Sequence, residues 1–255
     1  MRSRFLWRTA VVAICLTSAC SRRSEPPVAL ATAQPLPPAK VAPSGKHAPR
    51  PPRVNTVPDR PDLGPRLTFV QGPHGRLRLS DGGEGGVPVV FVHGLGGSYQ
   101  AWSAQLEALR PARRAAALDL RGHGESDAPS NGDYAIPALA DDVETVVSLL
   151  GFEKVYLVGH SMAGLVLASY AGRHPDKVAG MVFVDALGDL QRLSREEQEA
   201  FVAVGTDPKL DVRKLYEDIC GQRARPETRV RVLEQLDEMK PGAFAALRKT
   251  MVEYS

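Results

Sequence analysis

Residues 154–170, KVYLVGHSMAGLVLASY, read as a strand, an abrupt turn and then a helix. Val155, Tyr156, Leu157 and Val158 form a short apolar, β-favouring run, and from Met162 the apolar residues continue through Leu165, Val166, Leu167 and Ala168. The turn falls on Gly159-His160-Ser161-Met162-Ala163-Gly164. A serine in that place is lifted on a strained bend above the carboxyl end of the strand. Small neighbours leave room for a substrate and for close helix packing. Taken alone, the segment equally fits an ordinary turn with a solvated serine, so the surrounding chain has to decide.

Upstream, residues 67–71 and 76–80 read as a hairpin turning on Gly72-Pro73-His74-Gly75. Residues 87–92, VPVVFV, read as a buried strand that ends on His93-Gly94-Leu95-Gly96-Gly97. Helical spacing follows over 99–109, with Trp102, Leu106 and Leu109 on one face. A strand is expected at 115–118, leading into Asp119-Leu120-Arg121-Gly122-His123-Gly124-Glu125-Ser126-Asp127. Residues 136–150 form an amphipathic helix whose acids Asp141, Asp142 and Glu144 are expected to favour its amino-terminal dipole. Downstream of the elbow, 178–184 is a sixth strand ending at Asp185.

Three of these loops resemble landmarks of the α/β-hydrolase fold family. Gly159 to Ala163 is similar to the Gly-x-Ser-x-Gly nucleophile elbow, with Ala163 in place of the last glycine and Gly164 directly after it. His93-Gly94-Leu95 resembles the loop that supplies half of the family's oxyanion hole. Residues 119–126 match its Asp-x-Arg-Gly-x-Gly-x-Ser loop, which is mainly structural there, so Asp119 and His123 are given no catalytic part. The resemblance implies an α/β fold with a mostly parallel central sheet, Ser161 as nucleophile, and the backbone N–H groups of Leu95 and Met162 as oxyanion donors. It also implies Asp185 as a candidate triad acid, beside the alternative of a strand-end cap. Serine at the elbow argues against the dehalogenase and epoxide-hydrolase chemistry the same fold supports. The implied substrate is a small ester or other acyl compound, attacked through an acyl-enzyme without a cofactor.

Beyond residue 187 strand signals vanish, and the helical segments 194–204, 214–222, 227–239 and 242–254 sit where the family places a lid. The domain reading is therefore a segment 1–20 for export, a proline-rich tether 21–65, a hydrolase core 66–186 and a helical cap 187–255. The first segment joins a basic start, MRSRFLWR, to the apolar TAVVAICLTSA. Its end, Leu16-Thr17-Ser18-Ala19-Cys20, resembles a bacterial lipobox, with Cys20 the residue to be lipidated. That would anchor the domain to a membrane in the cell envelope. Ordinary signal-peptide cleavage and an uncleaved anchor stay open. With Cys20 modified, Cys220 is the only thiol of the mature chain.

The 255 residues, 43% hydrophobic with net charge +3, suit one sizeable core. Basic residues are scattered without interleaved aromatics, which argues against nucleic acid as a partner. No run of about 18 or more apolar residues marks a multi-spanning membrane protein. No His or Cys pair has metal-ligand spacing. The family pattern would continue past the cap with a strand bearing the acid and a loop bearing the catalytic histidine, whereas the last histidine here is His174. Each histidine has another reading: His47 in the tether, His74 in the hairpin turn, His93 and His123 in family loops, His160 in the elbow, His174 after the elbow helix. The chain therefore reads as an acyl hydrolase truncated before its base and impaired as written. A non-catalytic binding lipoprotein on a decayed hydrolase, and a triad completed by a second polypeptide, are the alternatives.

Overall fold

A computed structural model describes residues 66–221 and 224–254. The export segment, Cys20, the tether and His47 lie outside the described residues. Six strands, β1 (Arg66–Gly72), β2 (Gly75–Gly82), β3 (Val89–Val92), β4 (Ala115–Leu118), β5 (Val155–His160) and β6 (Val178–Val184), form one sheet in the order β1-β2-β4-β3-β5-β6. The β1–β2 hairpin and the β2–β4 pairing are antiparallel, and β4, β3, β5 and β6 run parallel. Residues with apolar side chains on both faces make such parallel strands, because helices cover both sides. Val90, Val92, Ala116, Leu118, Val155 and Leu157 point to one face, where α2 (Ile136–Leu149) and α3 (Ala163–Arg173) pack. Val89, Phe91, Ala115 and Ala117 point to the other, against Trp102 and Leu106 of the segment containing α1 (Ser103–Leu109).

Pro88 delays β3, which starts at Val89 rather than at residue 87, since proline has no N–H for the ladder. The segment expected as one helix over 99–109 is a 3₁₀ turn, Tyr99–Trp102, followed by α1. The acids of α2 do not occupy its first turn. They cross to neighbouring elements: Asp142 meets Arg121 at 2.7 Å, Asp141 meets Arg173 at 2.6 Å, and Glu144 meets Lys177. Charge partners, not the helix dipole, place them.

Four helices follow β6: α4 (Arg195–Thr206), α5 (Val212–Cys220), α6 (Pro226–Asp237) and α7 (Ala243–Glu253). Ser194 and Glu197 close a capping box on α4. Phe201, Ala243, Leu247 and Met251 join the apolar cluster on the α2–α3 side, so these helices share the core. Lys240 donates its backbone N–H to Gly122 O at 2.9 Å and its Nζ to Gly124 O at 2.8 Å, tying the helical region to the loop after β4. No helix among the described residues is long and apolar enough to cross a membrane.

At the sheet's far side β6 pairs only with β5 among the described residues. Val182 and Phe183 are 51% and 50% exposed, and Met181 and Val184 are exposed beside them. An uncharged edge strand with unpaired backbone groups is a template for another strand. The purified chain is accordingly expected to self-associate as its concentration rises, and Val182→Lys to suppress this. A sharp melting transition of a monomer, unchanged by concentration in sedimentation and calorimetry, would contradict it.

Candidate active site

The elbow is built by close approach. At Gly159 any Cβ would lie 2.7 Å from Leu167 and 3.1 Å from the Ala163 methyl, and at Gly164 it would lie 2.8 Å from Ala186 Cβ and 2.9 Å from Leu187 O. The glycine at 159 is therefore what admits Ala163, and the glycine at 164 lets α3 meet the chain leaving β6. Between them Ser161 has φ 52°, a left-handed value costly for a residue with a Cβ. Its backbone is pinned: Ser161 N–H donates to Val184 O at 3.2 Å, while Ser161 O accepts from Gly164 and Leu187, each at 3.0 Å. The serine thus stands half-buried at the crest between β5 and α3, as its sequence context predicts.

The loop after β3 comes directly to it. A Cβ at Gly94 would meet Ser161 Cβ at 3.0 Å and His160 Nδ1 at 2.9 Å, so only glycine lets Leu95 approach the elbow this closely. The N–H groups of Leu95 and Met162 donate to no other group among the described residues. Met162 N–H also sits at the amino end of α3, where the helix dipole favours negative charge. Two N–H groups without an acceptor among the described residues thus lie on the two segments that meet at Ser161.

His93 fixes that loop. Its Nε2 accepts from Leu120 N–H at 3.1 Å, which leaves the proton on Nδ1, 2.8 Å from Gly94 O. Gly97 N–H donates to the same oxygen at 3.0 Å. The ring is fully buried 4.7 Å from that of His123, and burial holds His93 well below the ordinary imidazole value. Both imidazoles are structural. Asp119, also buried, accepts from Tyr99 N–H at 2.6 Å and Glu125 N–H at 3.0 Å, and burial raises its pKa to about 6.

Asp185 follows β6 as Ser161 follows β5, and His160 is in register with Val184, so the two residues leave adjacent strands side by side. They are the two non-glycine residues with positive φ among those described, Asp185 at 43°. Asp185 is exposed, and its carboxylate pulls the His160 pKa up against burial, which lowers it. Among the described residues no imidazole hydrogen-bonds to Ser161. His174 caps α3 and lies against Tyr170 at 4.9 Å, and His74 sits in the β1–β2 turn.

Sequence reading missed one participant. Tyr216, in α5, donates its hydroxyl to Leu95 O at 2.7 Å and lays its ring on Gly96. A separation of 121 residues leaves no local signal of this contact.

Comparison with known proteins agrees with the geometry. The alpha/beta hydrolase fold family matches residues 87–215, half of the chain. A Pseudomonas putida dihydrolipoyllysine-residue acetyltransferase component of an acetoin cleaving system is 36% identical over 152 residues, which are 54% of this chain and 40% of that protein. Epoxide hydrolase 3 of Xenopus tropicalis is 32% identical over 46% of this chain and 35% of its own. The chain spans well under half the length of both. Among solved structures, a thermophilic esterase from Thermogutta terrifontis superimposes with TM-score 0.64 at 27% identity, covering 74% of this chain and 73% of that one. A putative aryl esterase from Burkholderia cenocepacia gives 0.62 at 26%, with 72% of each covered. With the strand order, the elbow and the family match in agreement, this chain belongs to the alpha/beta hydrolase fold family.

Proposed function

We propose that this chain carries the nucleophile and oxyanion hole of a serine acyl hydrolase acting on small esters. The observation that carries the reading is Ser161 held at φ 52° on the crest, with the unengaged N–H groups of Leu95 and Met162 next to it. Ser161 Oγ would form a bond to the acyl carbon while its proton passes to water. The carbonyl electrons would move onto an oxygen held by the two N–H groups, and collapse would expel the alcohol, which takes up a proton. Water would then cleave the acyl-enzyme to free serine and a carboxylic acid. The esterase neighbours support ester substrates, while the epoxide hydrolase relative shows that the family holds other chemistry.

No imidazole among the described residues engages Ser161, and where no base is supplied from elsewhere turnover is expected to lie about three to six powers of ten below that of a complete triad. A second reading is a binding protein on a hydrolase scaffold. Treatment of the full chain with diethyl 4-nitrophenyl phosphate separates them. Slow release of 4-nitrophenolate with one diethylphosphoryl group on Ser161, and none in Ser161→Ala, is the expected result. No modification, or equal modification of both chains, would refute the hydrolase reading.

A further inference from the structure

The two peptide units flanking Leu95 decide where its N–H points, and they are held from different parts of the molecule. The Gly94–Leu95 unit, which carries the N–H, has its oxygen fixed by His93 Nδ1 and Gly97 N–H, both from the loop itself. The Leu95–Gly96 unit has its oxygen fixed by Tyr216 from α5. Gly96 has φ +74°, and a Cβ there would lie 2.8 Å from the Tyr216 hydroxyl, so the ring covers the loop without a gap.

Among the helices after β6, α5 has no buried residue of its own. Within it the Tyr216 ring meets that of Phe244 of α7 edge-on at 6.1 Å. Phe244 in turn lies under the Arg248 guanidinium, which also covers the Phe201 ring at 3.7 Å and donates to Phe201 O. A path of contacts thus runs from α4 through α7 and α5 to the backbone of the oxyanion loop.

We infer that Tyr216 is a positioning residue that couples the helical region to the oxyanion hole: its hydroxyl holds the Leu95 carbonyl, fixing the peptide unit after the N–H-bearing one and so restricting how far the Leu95 N–H can swing. This inference rests on the acyl-transfer reading of Ser161. With Tyr216 engaged, both peptides are fixed and the donor is aimed before reaction, which is where preorganised donors gain their effect. With α5 displaced, the loop keeps His93 and Gly97 but loses the outer constraint, and the donor's aim loosens. Substrate entry that moves α5 would therefore weaken the hole, and its return would rebuild it.

The test compares reaction of Ser161 with diethyl 4-nitrophenyl phosphate and with its phosphorothionate. Sulfur accepts hydrogen bonds weakly, so the preference for P=O over P=S reports the oxyanion donors. Tyr216→Phe keeps the ring and removes the hydroxyl. It is expected to lower that preference about tenfold, a part of the roughly 10²–10³ lost when an oxyanion donor is deleted outright. Saturation concentration and melting temperature should stay near those of the parent chain. Tyr216→Ala should show the same loss of preference with a lower melting temperature. An unchanged preference in Tyr216→Phe, whether or not the alanine variant is impaired, would overturn the role of the hydroxyl. A parent chain that leaves Ser161 unmodified would instead overturn the acyl-transfer reading and this inference with it.

Discussion

In urea, Asp142→Ala is expected to lose about 3–5 kcal/mol of folding stability, a large share of what a domain of this size possesses. Arg121 and Asp142 are 3% and 1% exposed, and three donations join them: Arg121 N–H at 3.1 Å, Nε at 2.9 Å and Nη2 at 2.7 Å. The remaining fork nitrogen, Nη1, reaches Asp133 O at 3.0 Å. Together they fasten the loop after β4 to α2. Removing the carboxylate strands a guanidinium that cannot discard its proton, away from water. The loss therefore measures an uncompensated buried charge and not the net worth of the pair. Replacing both partners by apolar residues of similar volume, Arg121→Met with Asp142→Leu, should recover much of it. Equal destabilisation by the single and double substitutions would refute this account.

The second large effect is expected from acid. Burial lowers His123 to about pH 4 and holds His93 lower than its ordinary value of 6.5. The folded state thus refuses protons that the unfolded chain accepts, so the contribution is fully present above about pH 6.5 and is lost as pH falls towards 4. For His123 alone the gap between 6.5 and about 4 corresponds to about 3 kcal/mol at the acid end. Asp119 works in the opposite direction. Raised from 3.8 to about 6, it binds its proton more readily when folded, and stability from this group increases as pH drops through that interval. His123 and Asp119 nearly offset each other, so the direction follows His93, and stability is expected to fall between pH 6.5 and 4. Urea midpoints measured across this range check it, and a flat or rising stability towards pH 4 would contradict it. Because His93 holds Gly94 O, Ser161 modification by the aryl phosphate should fall over the same interval.

Local sequence carried much of the fold. The apolar runs at 115–118 and 178–184 become strands at those positions; the first is buried on both faces, while the second stands at the sheet edge with its side chains largely exposed. Small residues at 159–164 specify the elbow, since close packing forbids larger ones. The loops at His93 and Asp119 were legible as family motifs, though not the work their side chains do. Why Asp141, Asp142 and Glu144 stand on α2 could not be read locally: their partners Arg173, Arg121 and Lys177 come from other elements.

Sequence by itself determined which residue is lifted to the crest, because turn sterics and strand periodicity act over a few neighbours, whereas Leu95 entered only through the resemblance to a family loop. Tertiary structure alone decided that Asp185 emerges beside Ser161, and that a tyrosine 121 positions away grips the loop after β3. Those relations depend on strand order and helix packing, and distances through space are not written in spacing along the chain.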